Sequence, residues 1–135
     1  MQGDLFRKSA VVLEQNLIEA NLYSDILSAN GFDVYIASSP MDALVKLRES
    51  NNDLVIIDLN IAGHAFMNKF LKNIRQETSC KDTTLLGLSM YEQKEKITYD
   101  VDFYLTKPCS IDKFIEVVFG SLEQKVYGCE CFNNQ

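Results

Sequence analysis

Leu54-Val55-Ile56-Ile57-Asp58 is four apolar residues without polar alternation, stopped by an acid. A strand with one covered face alternates apolar and polar side chains, so an unbroken run needs cover on both faces. That requirement points to the centre of a parallel sheet with helices packed on either side.

The rest of the chain supplies the other pieces. Residues 10–13 form a second short apolar run, rich in β-branched residues. Asn16 then offers an N-cap, and Leu17, Ile18, Leu22, Ile26 and Leu27 recur at helical spacing until Asn30-Gly31 closes the helix. Residues 34–37 read as a strand, and Ser39-Pro40 opens a helix with Ala43, Leu44 and Leu47 on its buried face. After Asp58 a loop with Gly63 leads to a helix marked by Phe66, Phe70, Leu71 and Ile74. A fourth strand over residues 85–88 ends at Ser89, and a short polar helix spans about 91–97. A fifth strand over 101–105 ends in Thr106-Lys107-Pro108. Ser110 caps a last helix carrying Ile111, Phe114, Ile115, Val118 and Leu122. The expected fold is therefore α/β, a (βα)5 doubly wound parallel sheet of five strands. Residues 8–124 form one domain, with a short extension over 1–7 and a tail over 125–135.

Composition narrows the function classes. Thirteen Lys and Arg against nineteen Asp and Glu give a net charge of -6, which argues against nucleic acid and against an anionic membrane surface. No apolar run reaches the length of a membrane span, and the first residues lack a signal-peptide pattern, so the expected location is the cytoplasm. Cys80, Cys109, Cys129 and Cys131 read as reduced thiols. Cys129-Glu130-Cys131 is the only tight pair and has no nearby His or second pair to complete a metal site.

In a sheet of this kind, sites form at the carboxyl ends of the strands. The residues there are Glu14 and Gln15, Asp58, Ser89 and Lys107. An acid, a hydroxyl and an ammonium converging on one rim make a phosphoryl or anion site. An Asp after a buried strand alone reads equally well as a helix cap, and Tyr104 alone reads as a core aromatic. His64 reads as an exposed loop residue and Lys94-Glu95-Lys96 as a solvated face.

The chain resembles the receiver domain of two-component response regulators from about Lys8 to Leu122. The residues that carry the likeness are Ile56-Ile57-Asp58-Leu59 with Gly63, Leu86-Gly87-Leu88-Ser89, and Asp102-Phe103-Tyr104-Leu105-Thr106-Lys107-Pro108. The resemblance implies a flavodoxin-like sheet with strand order 2-1-3-4-5. It implies Asp58 as phosphoacceptor, attacking a phosphohistidine on a histidine kinase or phosphotransfer protein. Ser89 and Lys107 would contact the phosphoryl group, and Ser89 and Tyr104 would form the switch. Pro108 and Gly63 would be structural, with a cis Lys107–Pro108 bond. Mg²⁺ would be held by Glu14, Asp58, the Asn60 backbone and, weakly, Gln15.

The departures from the family pattern are specific. Two acidic residues normally end the first strand; here they are Glu14, longer by a methylene, and Gln15, which is neutral. Mg²⁺ favours carboxylates, so its affinity should fall. The loop Ile61-Ala62-Gly63 keeps only the family's Gly, and Met90 stands where a small residue is usual. The stretch from Ser89 to Lys107 is short, which implies a fourth helix trimmed by about a turn.

The expected function is a stand-alone receiver, phosphorylated on Asp58, that docks to a downstream protein. It would not be an enzyme beyond Mg²⁺-dependent self-phosphorylation and dephosphorylation of Asp58. The resemblance also admits a homodimer through the last helices. The alternative is a degenerate receiver that binds partners without phosphorylation. A flavodoxin-like enzyme or nucleotide binder is disfavoured, because the glycines form neither G-x-G-x-x-G nor a P-loop.

Overall fold

The computed structural model describes residues 7–90 and 99–127. Its elements are β1 (Lys8–Leu13), α1 (Leu17–Ala29), β2 (Phe32–Ile36), α2 (Pro40–Glu49), β3 (Leu54–Asp58), α3 (His64–Gln76), a short 3-10 turn (Thr78–Cys80), β4 (Thr84–Ser89), β5 (Phe103–Thr106) and α4 (Ile111–Tyr127). The five strands are parallel in the order β2-β1-β3-β4-β5, as the sequence led us to expect. The polar helix expected over residues 91–97, with the trimmed turn, lies outside the described residues, as do Cys129 and Cys131.

Every residue of β3 is buried, and the period of two in the strands explains how both faces are covered. Val11, Leu13, Val55 and Ile57 point into one core with α2 and α3. Ala10, Val12, Leu54 and Ile56 point into the other, with α1 and α4. Asn16 caps α1 through its side chain, which accepts from the Glu19 N–H at 3.1 Å. Gly31 follows α1 with φ of 91°, the left-handed conformation that glycine adopts without a Cβ penalty. Ser39 and Ser110 cap α2 and α4 in the same way as Asn16.

Three expectations are corrected. On α1 the buried residues are Ala20, Tyr23 and Leu27, while Leu17, Ile18 and Leu22 are exposed by 69%, 82% and 41%. The helix carries two apolar stripes, and the one containing the stacking ring of Tyr23 faces the sheet. On α3 the buried residues are Met67, Phe70, Leu71 and Ile74, so of the four that marked the helix Phe66 is exposed, stacked on Phe70, and Met67 joins the buried face. Gly63 is the N-cap of α3 with φ of -67°, and nothing lies within 4 Å of where a Cβ would stand, so neither conformation nor space requires glycine there. The strands also run slightly longer or later than read from sequence, and α4 continues to Tyr127, past the boundary expected at residue 124.

Candidate functional site

Strand register assembles the site. Val12 and Ile56 are paired neighbours in β1 and β3, both facing the core under α1 and α4. Two residues further on, the same face presents Glu14 beside Asp58. Leu105 of β5 faces that core too, and two residues on comes Lys107. Ser89 ends β4, between β3 and β5, and its carbonyl accepts from the Lys107 N–H at 2.7 Å. Glu14, Asp58, Ser89 and Lys107 are all buried. The Lys107–Pro108 bond is cis.

The strongest contact joins Lys107 to Glu14, with Nζ 2.6 Å from Oε1. Asp58 is more distant, its Oδ2 lying 3.9 Å from Nζ. The second Glu14 oxygen accepts from the Asn16 N–H at 3.0 Å, and Asp58 Oδ1 accepts from the Asn60 N–H at 3.0 Å. The Asn60 side chain accepts from the Met90 N–H at 3.0 Å, which ties the loop after β3 to the end of β4. Burial works to lower the Lys107 pKa, but the Glu14 hydrogen bond and the charges of Asp58, Glu14 and Glu19 outweigh it and hold the ammonium above the ordinary lysine value. Lys107 is therefore a cation held by Glu14 and within ion-pair range of the Asp58 carboxyl, an arrangement chemically suited to receiving an anionic group.

Two residues of this region were not legible in sequence. Glu19, in the first turn of α1, places Oε2 3.6 Å from Lys107 Nζ. Tyr99 holds the Tyr104 hydroxyl through its backbone, and its own hydroxyl meets His64 Nδ1. His64 is exposed, as expected, yet it has this partner.

Residues 10–119 match the response regulator receiver domain. The chain belongs to that family. Among curated relatives, the receiver is 25% identical over 114 residues to the polar-differentiation response regulator DivK of Brucella ovis, covering 82% of this chain and 93% of DivK. A response regulator from Thermotoga maritima superposes with a TM-score of 0.76 at 24% identity, over 87% of this chain and 99% of that one. The chemotaxis protein CheY4 of Vibrio cholerae gives 0.74 at 21%, over 84% and 98%.

Receivers typically bind Mg²⁺ in the active site, and the receiver domain of the sensor histidine kinase PA1611 from Pseudomonas aeruginosa holds one in its cleft (TM-score 0.73, 12% identity, 87% of this chain and 98% of that one). The side chains of the present receiver do not fit that ion. Both Glu14 oxygens are already engaged, by Lys107 and by the Asn16 N–H. Gln15 is neutral and exposed. Among the described residues, no three His, Cys, Asp or Glu side chains are arranged to hold a metal. Of the ligand set expected from the resemblance, Glu14 is thus turned to Lys107. No helix among the described residues is long and apolar enough to cross a membrane.

Proposed function

We propose that this receiver accepts a phosphoryl group on Asp58 from a phosphohistidine of a histidine kinase or phosphotransfer protein, and then signals by docking to a protein partner. The observation that carries this reading is the convergence of buried Asp58, Ser89 and Lys107 on the ends of β3, β4 and β5, with Lys107 Nζ 3.9 Å from Asp58 Oδ2. An Asp58 oxygen forms the new O–P bond while the P–N bond of the donor breaks, and its electron pair returns to the imidazole. Lys107 offsets the negative charge arriving on the phosphoryl oxygens, and Ser89 donates a hydrogen bond to one of them.

The donor must seat at the mouth of this site. Leu17 follows Glu14 by three positions and begins the outward stripe of Leu17, Ile18 and Leu22 on α1. Met90 and Ile111, also exposed, flank the same rim from the ends of β4 and α4. An apolar rim around a charged acceptor supports recognition of a protein donor rather than a free small molecule. The Tyr104 hydroxyl, anchored on Tyr99, supports a switch that leaves its present contacts once Ser89 engages phosphate.

The test is an intact-mass measurement after incubation with a small phosphoramidate donor, with and without Mg²⁺. One phosphoryl adduct, absent from Asp58→Asn, is expected. A folded sample that takes up no phosphoryl group under either condition would instead make the chain a phosphorylation-independent binding module.

A further inference from the structure

Lys107 faces three carboxylates. Glu14 is hydrogen-bonded to it at 2.6 Å, Glu19 lies at 3.6 Å and Asp58 at 3.9 Å. Glu14 and Asp58 sit where the family places acids. Glu19 comes from α1, and an acid on a helix that is otherwise half exposed reads from sequence as a solvated side chain. Its orientation says otherwise. The Tyr23 hydroxyl donates to Glu19 Oε1 at 3.2 Å, which leaves Oε2 turned toward Lys107. Tyr23 is itself buried and stacked on Phe114 of α4, with ring centroids 4.8 Å apart and planes 15° from parallel. The carboxylate is thus aimed by a rigid ring held between two helices.

The charge count gives this aim a purpose. Glu14 and Asp58 are both buried at neighbouring strand ends, and two buried carboxylates side by side repel strongly. A divalent cation would relieve that repulsion, but the Glu14 oxygens are committed elsewhere. Resting on the phosphoacceptor reading above, we propose that Glu19 is a positioning residue of the acceptor site: with Glu14 it fixes the Lys107 ammonium as the site's own cation, in the electrostatic role that Mg²⁺ fills elsewhere in the family. Two carboxylates on different elements, Glu14 after β1 and Glu19 on α1, restrain Nζ from two directions. Asp58 stays within ion-pair range without being the ammonium's main partner. The nucleophile is therefore compensated but not sequestered.

The experiment observes the Lys107 ammonium directly, by ¹H–¹⁵N correlation spectroscopy of the full chain selectively labelled at lysine Nζ. A buried, hydrogen-bonded ammonium exchanges its protons slowly enough to be seen. Glu19→Gln, a change at a half-exposed position that keeps the shape of the side chain, is expected to move the Lys107 resonance and speed its proton exchange roughly tenfold. Tyr23→Phe, which removes only the aiming hydroxyl, should move it in the same direction by less. Titration with Mg²⁺, and with Mn²⁺ read by paramagnetic broadening, is expected to show no saturable site at Asp58. The proposal is overturned if Glu19→Gln leaves the ammonium resonance and its exchange unchanged. It is overturned equally if Mg²⁺ saturates a site that Asp58→Asn abolishes. Neither readout requires phosphorylation, so failure here leaves the phosphoacceptor reading intact, and a missing phosphoryl adduct leaves the Lys107 result intact.

Discussion

The Tyr104 hydroxyl is bonded twice to the backbone of Tyr99, donating to its carbonyl at 2.9 Å and accepting from its N–H at 2.7 Å. Tyr104 is nevertheless 40% exposed, so its ring is held outward by these two bonds rather than by packing. The Tyr99 side chain is buried and meets His64, the first residue of α3, in the connection that follows Asp58. An inward turn of Tyr104 must break both bonds and free Tyr99. Tyr104→Phe should therefore destabilise the fold by only about 1 kcal/mol, the net worth of partly exposed neutral hydrogen bonds. It should also accelerate hydrogen exchange at the Tyr99 amide. Unchanged exchange at that amide would mean that the hydroxyl does not hold the segment.

Gly87 gives β4 a second constraint. A Cβ built there would stand 2.7 Å from Leu59 Cδ1 and 3.1 Å from its Cγ. Leu59 follows Asp58 directly and is 2% exposed, so it has little room to retreat. Gly87→Ala should cost about 1–3 kcal/mol by overpacking. Because the displaced side chain adjoins Asp58, phosphoryl uptake should fall as well. Denaturant unfolding and adduct formation, measured on the same variant, check both effects.

The ion pairs of the site give opposite expectations for two neutralising changes. Glu14→Gln strips the buried Lys107 of its closest partner, and breaking a buried pair from one side costs about 3 kcal/mol or more. Asp58→Asn removes one of two adjacent buried carboxylates while leaving the 2.6 Å pair whole, so the fold should become more stable. Thermal or denaturant midpoints decide it: Asp58→Asn above the parent chain and Glu14→Gln below. The reverse order would mean that Asp58, not Glu14, is the ammonium's principal counter-ion.

The sheet was legible because burial on both faces leaves unbroken apolar runs, clearest in β3 and repeated in β1 and β4. The site was legible where it hung on strand ends: Asp58, Ser89 and Lys107 each end a strand or follow it directly, and register does the rest. Helix α1 was less readable. Its apolar residues occupy two stripes, and periodicity alone does not say which one a sheet will cover. Tyr23 decided it by stacking on Phe114, a contact between residues far apart in sequence. The same stack turned Glu19 toward Lys107. The spacing of five between Glu14 and Glu19 was the one available signal, placing both acids near the start of the helix above the strand ends. Gln15 is neutral in the sequence and exposed in the structure, but the pairing of Glu14 with Lys107 joins residues far apart in sequence and left no local signal.

Cys109, two residues past Lys107, offers a reporter of this charge cluster. Burial pushes its thiol pKa up, the negative charge of Glu19 pushes it further, and Lys107 pulls it down. Because the folded value lies above the 9.0 of the unfolded chain, the stability attached to this thiol is whole below pH 9.0 and is lost as pH rises through the folded value. Reactivity follows the thiolate fraction. Glu19→Gln removes one upward influence, so the pH profile of Cys109 alkylation should move to lower pH and the rate at mildly alkaline pH should increase. Lys107→Met removes the downward influence and should move the profile the other way. Peptide-level mass spectrometry separates Cys109 from the other three cysteines. Salt should shrink the Glu19 effect, since that carboxylate is partly exposed. A profile indifferent to Glu19→Gln at low salt would show that its charge does not reach Cys109, and would restrict the cluster to the carboxylates that touch Lys107 from the strand ends.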